Sequence, residues 1–210
     1  MPSFDYNKFM KNTSVRDLPP NYTLLRKLDI REGKALLWMN LLGLTLFILA
    51  WIVFARLANL AHPGSLDGSL SISAKGLLDL LAFVGLLLAV TVVMLVLHEG
   101  FHGLCFWLFT RARPVFAFKG FYAYAAAPDW YLPRGQYLIT GLAPLVGITA
   151  LCAALMFALP AGWTQALFWM LVLNTSGAAG DLWMVWALLR SPADLLARDR
   201  GEVLEIYAPS

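Results

Sequence analysis

The pentapeptide His98-Glu99-Gly100-Phe101-His102 sets two imidazoles four residues apart, with a carboxylate directly after the first. On a helix, positions i and i+4 lie on one face, so His98 and His102 can grip one metal ion while Glu99 points at a water held by that ion. The chemistry this permits is hydrolysis, with the ion as Lewis acid and Glu99 as general base. The pentapeptide sits inside a long apolar run, Leu80 to Phe109. Ionisable groups at membrane depth are expensive and mark function by default.

The elements that must position these residues follow from composition. The chain of 210 residues is 60% hydrophobic and 14% charged, with eight Trp and a mean hydropathy of +0.66. That is too apolar for a soluble domain and reads as a multi-pass integral membrane protein. Three stretches exceed the roughly 20 residues needed to cross a bilayer: Ala35 to Leu57, Leu80 to Phe109 and Gln136 to Leu159. A fourth, Trp163 to Leu189, is apolar apart from Asn174 and Asp181, which are expected to face inward. The expectation is an all-α membrane fold of about four transmembrane helices, with residues 1–34 as a cytoplasmic lead-in, 35–190 as the membrane domain and 191–210 as a cytoplasmic tail.

Charge sets the orientation. Fourteen of the sixteen Lys and Arg lie in 1–34, between the second and third spans, or after Leu189; only Arg56 and Lys75 lie on the other side. By the positive-inside rule both termini are cytoplasmic, and the net charge of +3 is explained by topology without a nucleic-acid partner. The first 34 residues hold seven Lys or Arg and no apolar h-region, so no cleavable signal peptide is expected and Met1 reads as the mature start. Cys105 and Cys152 fall in apolar stretches and suggest no disulfide framework. The Gly- and Ser-rich stretch Ser65 to Ser73 reads as a connector.

This topology supplies a third ligand. The second and fourth spans run in the same direction, with His102 eight residues before Thr110 and Asp181 eight before Leu189. At 1.5 Å per residue the two groups share a depth in the cytoplasmic half of the membrane. His62 falls in the opposite loop, so His98, His102 and Asp181 are the expected zinc ligands. Pairing of Asp181 with Arg190, or entry of Asp129 from its loop, are the competing arrangements. Asn174 precedes Asp181 by two helical turns and projects from the same face, among small residues that let helices approach closely.

With these residues in view, the chain resembles the site-2-protease-like intramembrane metalloproteases, and more closely the DUF3267 zincin-peptidase family of small bacterial membrane proteins. The resemblance covers about residues 76 to 190 and rests on His98-Glu99-Gly100-Phe101-His102-Gly103 followed by Asn174 and Gly180-Asp181-Leu182. It differs from the site-2 pattern in lacking a Pro after Asn174 and a Gly after Asp181. The resemblance implies a Zn2+ cofactor, Glu99 as catalytic base, a substrate-binding role for Asn174, membrane proteins or peptides as substrates, and a bacterial cell membrane as location.

Between the second and third spans, aromatic residues from Phe116 to Tyr124 alternate with small ones around Gly120, which reads as a short hairpin at the cytoplasmic interface. Beside the metal, an edge strand of this kind holds an unwound peptide by strand addition, with Phe118 and Gly120 as substrate-binding candidates. An aromatic belt at the membrane surface is the competing reading. A binding-only membrane protein remains the alternative to a peptidase, and Glu99 separates the two, since ligation alone needs no base.

Overall fold

The computed structural model describes residues 13–29, 31–66, 76–120 and 122–210. The start of the lead-in and most of the 65–73 connector lie outside the described residues. The elements run β1 (Tyr22–Asp29), α1 (Gly33–Ala61), α2 (Leu77–Thr110), β2 (Val115–Phe118), β3 (Ala123–Ala126), β4 (Leu132–Pro133) and α3 (Arg134–Ala158). A short 3-10 turn, Ala161–Trp163, leads to α4 (Thr164–Gly177), α5 (Ala179–Leu189), β5 (Leu196–Asp199) and β6 (Val203–Pro209).

Among the described residues three helices, α1, α2 and α3, are long and apolar enough to cross a membrane. At 1.5 Å per residue, the 34 residues of α2 extend about 50 Å, well beyond a hydrocarbon core of about 30 Å. Large apolar side chains stay exposed along them, among them Leu44, Ile48, Leu88 and Val96, which suits lipid and not water. Hydroxyls within the spans bond back to the carbonyl four residues earlier, as from Thr91 to Leu87 at 2.7 Å and Thr110 to Phe106 at 2.7 Å.

The expected fourth span, Trp163 to Leu189, is divided in two. Helix α4 closes on Ala178, whose N–H donates to the Asn174 carbonyl, and α5 starts afresh at Ala179. Gly177 and Gly180 flank this break, and Asp181 falls in the first turn of α5, where helix amides favour a carboxylate.

The fold is mostly helical, and beside the strand pair between α2 and α3 it carries four further short strands among the described residues that a helical fold with one hairpin did not include. Both ends of the chain join one antiparallel sheet of order β1-β6-β5-β4. Tyr22 pairs with Pro209 and Asp29 with Val203, with an irregularity between Leu24 and Arg26. Strands β1 and β4 were hidden because their partners lie far away in sequence, and because β1 has a mostly exposed, non-alternating face, whereas β5 and β6 pair locally within the stretch expected as a tail. The second sheet is the two-stranded pair β2-β3, joined through Gly120 at φ +84°, a backbone region that favours glycine.

Two compact units can be distinguished. One comprises Met1–Met39, Glu99–Ala143 and Gly180–Ser210. Its core gathers Phe106 from α2, Tyr137 from α3, Leu188 from α5 and Leu204 and Ile206 from β6. Within it, the Tyr137 hydroxyl donates to Asp199 at 2.5 Å, and the Gly201 N–H donates to the other oxygen of that carboxylate at 2.6 Å. Burial pushes the Asp199 carboxyl up, against the pull of those two donors. The other unit comprises Asn40–His98 and Pro144–Ala179. It is pinned by edge-to-face rings, with Trp51 at 5.2 Å from both Phe168 and Trp169.

Candidate metal centre

The i, i+4 spacing on α2 sets His98 and His102 on one face, and both imidazoles are buried. The ligand atoms of His98, His102 and Asp181 all lie within 4.8 Å of one another. Asp181 Oδ1 is 3.3 Å from His102 Nε2. Two imidazoles and a carboxylate at this separation form the donor set that zinc takes in hydrolytic sites, so the residues present fit the ion.

The outer nitrogens of both rings are fixed. His102 Nδ1 lies 2.9 Å from the carbonyl of Thr140, which can only accept, so this nitrogen carries a proton, and Nε2, facing the Asp181 carboxylate, is the nitrogen available to an ion placed between the two. His98 Nδ1 lies 3.1 Å from Asn174 Oδ1. The orientation of that amide follows from its other end, where Nδ2 donates to the Pro144 carbonyl at 3.3 Å. Asn174 Oδ1 is therefore the acceptor and His98 Nδ1 the donor, again leaving Nε2 as the ligating nitrogen. Partners of this kind orient metal-binding imidazoles and raise their basicity.

Glu99 follows His98 on α2, is partly buried, and interacts electrostatically with His102. Of the competing ligand arrangements, Arg190 stacks over Trp186 at 4.5 Å from the ring centroid, and Asp129 is exposed. Asn174 is fully buried, with both ends of its amide engaged as described. Phe118 and Gly120 are exposed at the far end of the hairpin. It is Phe116 that reaches the motif: its ring covers Gly103, and a Cβ there would run into it. Thr140, Pro144 and Phe116 were not singled out by sequence reasoning. The available signal was the Pro inside an apolar span, which marks a helix with an altered backbone.

Asn174→Ala is expected to weaken zinc binding about tenfold, because the His98 ring loses the acceptor that fixes its tautomer. Zinc competition against a chromophoric chelator measures this. If Asn174 acts on substrate instead, KM rises while zinc affinity stays at the wild-type value.

The arrangement is that of a metal-dependent hydrolase built on membrane-length helices. Residues 91–196, half of the chain, match DUF3267, described as "Putative zincin peptidase", and the chain belongs to that family. No curated protein and no solved structure matches it.

Proposed function

We propose that the chain is a zinc-dependent intramembrane peptidase that hydrolyses membrane-associated protein substrates near the cytoplasmic face. The observation that carries this reading is the group of buried His98 and His102 with half-buried Asp181, and Glu99 next in sequence to the first ligand. His98 and His102 through Nε2, with the Asp181 carboxylate, would hold the ion. Zinc bound there polarises the scissile carbonyl and lowers the pKa of a water towards about 7. Glu99 takes the proton of the attacking water and later returns it to the departing amine. Thr140 and Asn174 hold the imidazoles still during that exchange.

Strand pairing supports four crossings. Hydrogen-bonded strands lie on one side of a bilayer, so the chain crosses an even number of times between any two of them. Strand β1 precedes α1 and pairs with β6 after α5; β4, after α2, pairs with β5. Three long helices need one further crossing, which α4 and α5 make together through their break at Ala178. The Lys and Arg imbalance then assigns the sheet and both termini to the cytoplasm. On this reading β2-β3 is the interfacial hairpin, and the covering of Gly103 by Phe116 keeps it beside the metal ligands. Each of its strands has one neighbour among the described residues, so an edge is open to an extended peptide, with Phe118 and Gly120 along it.

The test is metal removal. Purified protein in lipid nanodiscs is expected to cleave a membrane-spanning reporter, to stop when zinc is stripped by 1,10-phenanthroline, and to recover on adding about one equivalent of Zn2+. Cleavage that continues in fully stripped protein overturns the reading, and zinc binding without cleavage leaves the alternative of a non-hydrolytic metal-binding protein.

A further inference from the structure

Both carbonyls that govern the imidazoles come from one turn of α3. Thr140 accepts from His102 directly at 2.9 Å, and Pro144 accepts at 3.3 Å from the Asn174 amide that holds His98. The two carbonyls are four residues apart, one helical turn, as are the two imidazoles on α2. In an α-helix the carbonyl of residue 140 accepts from the N–H of residue 144. Residue 144 is proline and has no N–H, so the bond that would occupy the Thr140 carbonyl cannot form. Inside a membrane helix a carbonyl released in this way needs another donor, and His102 Nδ1–H is that donor.

We propose that Pro144 is a positioning residue of the metal centre: by withholding its backbone N–H it dedicates the Thr140 carbonyl to His102. The ring then has one tautomer, with Nε2 as the ligating nitrogen. Any other residue at 144 brings a second donor to the same carbonyl, which then divides its accepting capacity between the helix N–H and the imidazole and holds the ring less firmly. This rests on the zinc reading of the site, though not on proteolysis.

Pro144→Ala tests it in the full chain in nanodiscs, read by zinc competition and by the visible spectrum of the Co2+-loaded protein. The expected result is zinc affinity about tenfold weaker, in the range for lost supporting partners of metal-bound histidines, and an altered cobalt spectrum. The helix itself gains a bond and a better helix former, so thermal unfolding does not move to lower temperature. A second variant separates the missing N–H from the shape of the ring. The α-hydroxy acid analogue of alanine, incorporated at 144, also has no N–H, and is expected to restore wild-type affinity and spectrum. Affinity within twofold of wild type in Pro144→Ala overturns the proposal, as does an α-hydroxy variant as weak as Pro144→Ala. Wild-type protein that binds zinc but cleaves nothing refutes the peptidase reading and leaves this inference standing. Wild-type protein that binds no zinc refutes both.

Discussion

Glu99→Gln leaves one zinc per chain and lowers cleavage of a membrane-spanning reporter by about 10²- to 10⁴-fold, the usual contribution of a positioned acid or base. The amide keeps the size of the side chain and cannot accept the water proton. Glu99 is not among the three grouped ligand residues, so metal content is expected to survive. Metal analysis and the cleavage assay on one preparation separate the two effects. Near-wild-type turnover with zinc present would show that some other group serves as base.

Asp181→Ala has the largest expected effect on metal binding. Removing a direct ligand is expected to weaken zinc by at least about 100-fold, the upper end of what losing a merely supporting partner does. His102, whose Nε2 lies 3.3 Å from the carboxylate, loses that partner as well. Exposed Asp129, tested as Asp129→Ala, is expected to leave zinc affinity unchanged. If the two variants exchange these outcomes, the loop carboxylate is the third ligand.

Local periodicity and depth made the centre partly legible in the sequence. The spacing of His98 and His102 is a one-helix property, and Asp181 entered through counting residues from the ends of two spans. Thr140 was out of reach because it contributes a backbone carbonyl, which every residue type offers. Pro144 acts through an atom it lacks, a signal visible only when the helix register is counted back four residues. In the four-stranded sheet, β1 and β4 escaped for a different reason: their pairings join residues such as Tyr22 and Pro209, and nothing local in Tyr22–Asp29 announces a partner, whereas β5 and β6 pair locally across Gly201. The strand there shows five consecutive exposed residues, where a half-buried strand would alternate. The hairpin was readable because its partners are adjacent and its turn needs Gly120.

The pairing of β1 with β6 also has a kinetic side. At about 5–20 residues per second, roughly 10 to 40 s of synthesis separate Tyr22 from the residues that pair with it. Throughout that interval the helices carrying the expected ligands are made while β1, with Leu24 and Leu25 exposed even in the finished fold, lacks the one strand it pairs with among the described residues. The Asp199 carboxylate that engages Tyr137 emerges in the same late window, after α5. Sheet closure is thus the high-contact-order step of this fold, and changes in β6 are expected to register first as slow maturation of the chain.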